Sequence, residues 1–186
     1  MEKFNFCLLN KEDISEMAEI ESKYFEGYER AFTKDFLDKW YNVNNKMYYG
    51  VKNGNKIICF TIFVPLTEKL HDRLLKGEVS DLYDFSPDEV CPNNNSKYFY
   101  LADICVNELK SGISMVATGL LIKNIIKIYK DQVEFVTTSP ITKNGLKITE
   151  HMGFEKVSEQ LFNGEKYDVY MLDVDQKINH SGGKKI

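Results

Sequence analysis

The sequence predicts an α/β protein, more closely described as α+β, with a mixed central sheet of about six to seven strands flanked by about four helices. Three observations support this prediction. A chain of 186 residues is long enough to bury one sizeable core. Segments with helical periodicity and segments with strand-like composition follow one another along most of the chain. The order strand, helix, strand between Tyr98 and Thr138 is typical of a right-handed parallel crossover.

Two helices are predicted near the start of the chain. Asn10 and Asp13 form a capping-box pattern, and apolar residues recur at helical spacing from there through Tyr24-Phe25. Thr33 is placed to cap a second helix, which ends at an asparagine-rich stop over residues 42–45.

A β-hairpin is predicted next. Met47 to Val51 and Lys56 to Val64 are rich in β-branched and aromatic residues, and Asn53-Gly54 between them is a strong turn signal. Pro65 is expected to end the second strand, because proline has no N–H to donate to a sheet ladder.

Residues 65–96 are predicted to form an insertion, with a short helix stopped by Gly77 and a second helix start at Ser86-Pro87. An acidic rim here would attract a cationic amine or a lysine-rich peptide, and an ordinary solvated face is the alternative interpretation. The acidic residues of the insertion are Glu68, Asp72, Glu78, Asp81, Asp84, Asp88 and Glu89.

The central segment begins with Tyr98 to Val106, which is nearly continuous in apolar residues apart from Asp103 and is predicted to be a strand covered on both faces. A long amphipathic helix is predicted from Ser114 to Lys130, followed by a strand from Val133 to Thr138. The predicted apolar face of the helix contains Met115, Ile122, Ile125, Ile126 and Tyr129.

The last elements are a short helix from Thr142 to His151, closed by Gly153, and a strand pair over 155–160 and 166–174 that turns at Asn163-Gly164. Residues 1–175 are predicted to be a single domain, and residues 176–186 a disordered tail.

Composition excludes several classes of protein. The net charge of −4 and the pI near 5.5 argue against a nucleic-acid-binding protein. The sequence has neither a signal-peptide pattern nor a stretch apolar enough to span a bilayer, so a cytoplasmic protein that does not bind membranes is expected. The four scattered cysteines are expected to be free thiols rather than disulfides or zinc ligands.

Two features carry possible chemistry. A strand that leads through a glycine-containing turn into a helix presents free N–H groups and the positive end of the helix dipole to a diphosphate, and Ser111 to Met115 are predicted to supply such a turn, with Lys110 as an adjacent cation. Asp103 is the one acid in an apolar strand, so it is expected to be paired, hydrated or functional. A catalytic base and a structural hydrogen-bonding group are both open interpretations of Asp103.

The order of elements resembles the GNAT superfamily of acyl-CoA-dependent N-acyltransferases over roughly residues 8 to 174. The segments that carry the likeness are Leu101-Ala-Asp-Ile-Cys-Val106, Gly112-Ile-Ser114 at the start of the long helix, and the run from Thr142 to Phe154. The insertion lies between the third and fourth strands, where the acceptor pocket of this family often receives its lid. The likeness implies a site for acetyl-CoA formed by Ile104, Cys105, Val106, Lys110, Ser111, Gly112, Ile113, Ser114, Met115 and Asn144.

The sequence departs from the family pattern at three positions. Leu109 stands where the family usually has Arg or Gln, and Ser114 where it usually has a second Gly or Ala. Thr149 stands where a tyrosine usually protonates the leaving thiolate, and a threonine hydroxyl is a far weaker acid than a phenol. Tyr48, Tyr49 and Tyr100 are alternatives for that acid, and His151 is expected to be a surface or capping group.

The resemblance implies an N-acetyltransferase that moves an acetyl group from acetyl-CoA to a primary amine of a small molecule or peptide by direct attack, with Asp103 as the base and no metal. The alternatives are a binding module with a degenerate GNAT fold, or a sensor that binds acyl-CoA without transfer. A homodimer is compatible with the sequence.

Overall fold

The structure is a computed structural model that describes residues 4–25, 31–107, 111–162 and 165–174. The predicted turn at Asn163-Gly164 and the predicted tail lie outside the described residues.

The chain starts with a strand that the sequence analysis did not predict, β1 (Phe4–Leu8). The two predicted helices follow as α1 (Ile14–Tyr24) and α2 (Lys34–Val43). Both predicted capping contacts are present, but Asn10 caps a 3-10 turn, Lys11–Asp13, that leads into α1 rather than α1 itself. Asn10 accepts a hydrogen bond from the backbone N–H of Glu12 at 2.9 Å, and the Thr33 hydroxyl accepts one from Phe36 at 3.3 Å.

The predicted hairpin consists of β2 (Tyr48–Asn53) and β3 (Lys56–Leu66), which are antiparallel, and β1 pairs antiparallel with the other side of β2. The prediction that Pro65 ends the second strand is wrong, because β3 continues to Leu66. Proline lacks an N–H donor but keeps its carbonyl acceptor. The Pro65 carbonyl accepts a hydrogen bond from the Cys91 N–H at 2.8 Å.

The insertion contains α3 (Glu68–Leu75), whose first turn is capped by the Thr67 hydroxyl. Gly77 follows the helix with φ of 69°, as expected of a residue that stops it. The predicted second helix start is a single 3-10 turn, Pro87–Glu89, and another 3-10 turn, Pro92–Asn94, follows it.

The central segment contains β4 (Tyr98–Val106), α4 (Ser111–Tyr129) and β5 (Phe135–Thr138). β4 and β5 pair in parallel, which confirms the parallel pairing that the predicted crossover requires.

The predicted apolar face of α4 is wrong in part. Met115 is 73% exposed and Ile126 is 57% exposed. Among the side chains of α4 that the structure describes, the buried ones are Ala117, Leu121, Ile125 and Tyr129. Because α4 has apolar residues on all sides, its sequence periodicity does not mark one face clearly.

The chain continues with α5 (Lys143–Met152), β6 (Glu155–Phe162) and β7 (Glu165–Asp173). The Thr142 hydroxyl caps α5 by accepting from the Gly145 N–H at 2.9 Å, and Gly153 ends it with φ of 79°. β7 is antiparallel to both β5 and β6.

The strands form one mixed seven-stranded sheet of order β1-β2-β3-β4-β5-β7-β6, with five α-helices in the described residues. This confirms the predicted fold class. The described residues group into two compact units. Unit 1 takes its residues from Met1–Phe63, Pro92–Asn94 and Asp103–Lys130, and unit 2 takes the remainder.

Each unit has its own apolar core. Large buried side chains of unit 1 include Met17, Leu37, Trp40, Phe60 and Leu121. Those of unit 2 include Leu70, Leu74, Phe85, Phe99 and Val169. Among the helices of the described residues, none has the length and apolar character that crossing a membrane requires.

Candidate active site

The end of β4 is held by two hydrogen bonds from one asparagine. The Asn107 backbone N–H donates to the Ile58 carbonyl at 2.8 Å, and the Asn107 side-chain amide donates to the Ile57 carbonyl at 2.9 Å. Residues 108–110 lie outside the described residues, and so does the predicted cation Lys110. The chain is described again from Ser111, where α4 begins.

The predicted phosphate-binding residues Ser111–Met115 form the first turn of α4 rather than a turn that precedes it. Gly112 is exposed, and a Cβ added to it would have no atom within 4 Å. The first backbone N–H groups of an α-helix have no partner within the helix and carry the positive end of its dipole. Ile113 is half-buried in this turn. The side chains of Ser111 and Ser114 are outside what the structure describes.

The second half of β4 extends beyond its ladder with β5. That ladder joins Tyr98–Tyr100 to Phe135–Thr137, whereas β4 continues to Val106. Cys105 is buried, but Ile104 and Val106 are half-buried, so β4 is less completely covered than its apolar sequence predicted.

Asp103 lies in this second half of β4 and is half-buried. Its backbone carbonyl accepts a hydrogen bond from the Thr61 hydroxyl of β3. The Cys105 thiol is 3.2 Å from each carboxylate oxygen of Asp103 and donates to them.

Glu21 of α1 completes a cluster with these two side chains. One oxygen of each carboxyl group and the sulfur of Cys105 all lie within 4.8 Å of one another. Glu21 is 1% exposed, and its carboxyl group is within hydrogen-bonding reach of the Asp103 carboxyl group. The structure therefore places two carboxyl groups and a thiol together in the interior of unit 1.

Burial disfavours the charged form of every group in this cluster. Burial and the neighbouring Asp103 carboxyl raise the pKa of Glu21 far above its ordinary value of 4.5. Burial also raises the pKa of Asp103, while its hydrogen bonds with Glu21 and Cys105 oppose that rise. The pKa of Cys105 is well above its ordinary value of 9.0, through burial and then the charges of Asp103 and Glu21. The pKa values of all three groups are therefore raised, and Asp103, which is half-buried where Glu21 and Cys105 are buried, is the candidate for the group that ionises.

The three tyrosines proposed from the sequence as acids use their hydroxyl groups inside the fold. Tyr48 donates to the Leu37 carbonyl at 3.1 Å, Tyr49 lies 2.5 Å from the hydroxyl of Tyr129, and Tyr100 donates to the Ser80 carbonyl at 3.4 Å. Burial raises the pKa of both Tyr48 and Tyr49. These contacts give all three a structural role.

Tyr24 is a phenol that the sequence analysis did not consider. It is half-buried at the end of α1. Burial, then the neighbouring charges of Cys105 and Asp103, raise its pKa above 10.0. Tyr24 is therefore a phenol in the neighbourhood of the cluster, and the raised pKa keeps it in its protonated form.

The remaining predicted residues belong to unit 2. Asn144 is exposed in the first turn of α5, and its role in cofactor binding stays a prediction. Thr149 is buried in the same helix, and His151 is exposed in its last turn, where it was expected to be a surface or capping group.

At least four of the seven acids of the insertion take part in its internal structure. Arg73 forms ion pairs with Glu89 and with Glu78, while Asp84 accepts hydrogen bonds from the N–H and hydroxyl of Ser80. Asp81 accepts one from the Tyr83 N–H at 2.8 Å. These contacts favour a structural role for much of the predicted acidic rim.

Glu21 is the main site residue that sequence reasoning missed. The signal was present, since Glu21 stands four residues after Met17 and seven after Ile14, on the stripe that α1 buries. An acid at a buried position of an amphipathic helix calls for a partner. The identity of that partner depends on β4, which is distant in sequence.

Comparisons of the sequence with protein-family models and with curated proteins gave no match. The fold is similar to that of many solved structures. An N-acetyltransferase from Staphylococcus aureus Mu50 matches with a TM-score of 0.61 at 12% identity, covering 92% of this chain and 99% of that one.

Two further structures show the same likeness. The loading GNATL domain of CurA from Lyngbya majuscula has a TM-score of 0.69 at 10% identity, covering 94% of this chain and 99% of its own. The protein yncA of Salmonella typhimurium, solved with its cofactor acetyl-CoA, has a TM-score of 0.59 at 12% identity, covering 93% of this chain and 95% of its own. The chain described above therefore has the fold of the GNAT superfamily of N-acetyltransferases.

Proposed function

We propose that this protein is an N-acetyltransferase that transfers the acetyl group of acetyl-CoA to a primary amine. The observation that carries the proposal is the β4–α4 segment of unit 1. It combines an ionisable acid, Asp103, in the second half of β4 with an open glycine, Gly112, in the first turn of a long helix. A solved structure with the same fold contains acetyl-CoA, which supports this choice of donor.

The proposed cofactor site uses backbone groups more than side chains. The free N–H groups at the start of α4, within the predicted segment Ser111–Met115, would bind the diphosphate of acetyl-CoA, with Lys110 as a nearby cation. Gly112 leaves room for the phosphate to approach the backbone. The backbone of Ile104–Val106, beyond the ladder with β5, would bond the pantetheine arm as an added strand. Asn144 remains a proposed contact.

The proposed reaction needs a base because an amine reaches the site as an ammonium ion. The carboxylate of Asp103 takes one proton from that ammonium, and the neutral nitrogen attacks the thioester carbonyl. A C–N bond forms, the C–S bond breaks, and the nitrogen gives its second proton to solvent as the tetrahedral intermediate collapses, so the products are the acetylated amine and the CoA thiolate. Tyr24 is the proposed donor of the proton that neutralises the thiolate, in place of Thr149.

The acceptor is proposed to be a small molecule or peptide that carries a primary amine. The proposal includes a cytoplasmic location and no metal. A binding module without transferase activity and an acyl-CoA sensor are separate outcomes of the test below.

The test measures release of free CoA from acetyl-CoA across a panel of polyamines, amino acids and peptides. At least one amine is expected to support release in the wild type. Asp103→Asn is expected to lower kcat/KM about 10²- to 10⁴-fold, the usual contribution of a positioned base, without loss of acetyl-CoA binding.

The control variant is Asp168→Asn, which removes only a surface ion pair with Lys156 at 2.7 Å and is expected to keep full activity. Binding of acetyl-CoA without release on any amine would identify a sensor instead. Full activity in Asp103→Asn would remove Asp103 from the mechanism.

A further inference from the structure

The cluster around Asp103 contains a side chain that the proposed reaction does not use. Glu21 is 1% exposed, and its Oε1 is buried without a hydrogen-bond partner in the described part of the chain. A carboxyl group in such a position is stable only as the neutral acid or beside a compensating charge. Its neighbours in the cluster are another carboxyl group and a thiol, and neither is a cation.

The groups that face Asp103 come from three elements. α1 contributes the carboxyl of Glu21 and the phenol of Tyr24, and β4 itself contributes the thiol of Cys105. β3 contributes the hydroxyl of Thr61, which bonds the main chain of Asp103 and does not titrate. Around Glu21, the Phe32 backbone N–H is a further polar contact.

We propose that Glu21 is a positioning residue that keeps its proton and donates it as a hydrogen bond to Asp103, so that Asp103 alone ionises and receives the proton of the amine. This inference rests on the proposed function for its catalytic consequence. Two carboxyl groups this close in a buried site cannot both be charged, so they share a single negative charge. The hydrogen bond determines which oxygen atoms carry that charge.

The proton balance of the step is simple. Before transfer, Glu21 is neutral and Asp103 is a carboxylate. The ammonium gives one proton to Asp103, and the pair then holds two protons and no charge. Glu21 gains and loses nothing, so it acts only through Asp103. Its hydrogen bond stabilises the carboxylate form and keeps the pKa of Asp103 from rising as far as burial alone would take it.

Two variants separate this role from simple packing. Glu21→Gln keeps an N–H donor directed at Asp103, whereas Glu21→Met fills the same space without a donor. Loss of a hydrogen bond to a charged group corresponds to a pKa change of about one unit or more. Glu21→Met is therefore expected to move the acid limb of the kcat/KM profile about one pH unit or more to higher pH, while Glu21→Gln leaves the limb in place.

The second measurement does not depend on activity. Carboxyl ¹³C NMR of the wild-type protein without cofactor, with Asp103→Asn and Glu21→Gln used to assign the signals, follows both groups through a pH titration. Glu21 is expected to stay protonated through neutral pH while Asp103 titrates below it. Glu21→Met, if it folds, is expected to raise the titration midpoint of Asp103.

The outcomes distinguish the two proposals. If Glu21 titrates near its ordinary value of 4.5 in the wild type, or if Glu21→Met leaves the titration of Asp103 unchanged, the positioning role is wrong whether or not the protein transfers acetyl groups. If the protein neither binds nor uses acetyl-CoA but the NMR titrations are as expected, the proposed function fails and the carboxyl pair stands.

Discussion

At the scale of single residues, the ionisation of Asp103 determines how activity depends on pH. Burial raises the pKa of this carboxyl above 3.8, and only its ionised form accepts a proton. We expect kcat/KM to fall as pH drops through that raised pKa, at a higher pH than an exposed aspartate would give. A pH–rate profile measures this limb. A limb at the ordinary position of an aspartate would contradict a buried base.

Glu21 makes a separate prediction about stability. Because the folded protein raises the pKa of Glu21, unfolding releases its proton at any pH between the raised value and the ordinary value of 4.5. The contribution of the Glu21 side chain to the free energy of unfolding is therefore fully present below pH 4.5 and is lost as the pH rises. The glutamine in Glu21→Gln has no proton to lose. The free energy of unfolding of this variant minus that of the wild type should therefore increase with pH, by at most about 1.4 kcal/mol per pH unit.

Denaturant unfolding of both proteins from about pH 5 to about pH 9 measures this difference. The matched control is Glu19→Gln, which makes the same change at an exposed position of the same helix. If the difference for Glu21→Gln grew no faster with pH than the difference for Glu19→Gln, Glu21 would be charged in the folded protein.

At the scale of elements, the first turn of α4 is the proposed phosphate site, and its glycine gives a direct test. Gly112→Asp adds a carboxylate where the diphosphate would bind, so acetyl-CoA affinity should fall at least about tenfold. Gly119→Asp is the matched control, because Gly119 is an exposed position of the same helix. A Cβ added to Gly119 would also have no neighbouring atom within 4 Å.

The two positions are seven residue steps apart, which corresponds to about 10 Å along the helix and to about one screening length at physiological salt. Gly119→Asp should therefore leave affinity nearly unchanged. Equal loss of acetyl-CoA affinity in both variants would contradict a phosphate site at the start of α4.

Another element-scale prediction concerns the insertion, whose helix α3 ends close to β6. Gly77 has φ of 69°, and an added Cβ would lie 2.7 Å from the Glu159 carbonyl oxygen. Gly54 has φ of 60° and open space around it, so it is the matched control. We expect Gly54→Ala to cost about 1 kcal/mol and Gly77→Ala about 3 kcal/mol or more of unfolding free energy, because only the second combines strain with a clash. Equal losses in denaturant unfolding would contradict the contact with β6.

Local signals explain which elements the sequence predicted. The caps at Asn10, Thr33 and Thr142 and the glycine stop at Gly153 act within a few residues, so their helices were found with nearly correct bounds. β1 was missed because a short strand is stabilised by its partner, and its pairing with β2 connects residues far apart in sequence.

The same argument applies to the site. Asp103 was found because an acid stands out in an apolar strand, whereas its relation to Glu21 required α1 and β4 to be brought together. The buried face of α4 was partly misassigned because apolar residues surround the helix, so only tertiary packing decides that Met115 is exposed and Leu121 is buried.

At the scale of the whole molecule, fold and chemistry rest on different evidence. The seven-stranded sheet, its strand order and five helices give the chain the GNAT fold, and solved structures with that fold match more than nine-tenths of its length. Folds host many functions, so the transferase activity depends on the residues of β4 and α4 rather than on architecture.

The most direct test of the account is a calorimetric titration of acetyl-CoA into the wild-type protein. Binding through the start of α4 and the second half of β4 predicts saturable one-to-one binding, with lower affinity at higher salt because the diphosphate contacts are charged. The absence of binding at about 1 mM ligand, equivalent to a binding free energy weaker than about −4 kcal/mol, would contradict the account.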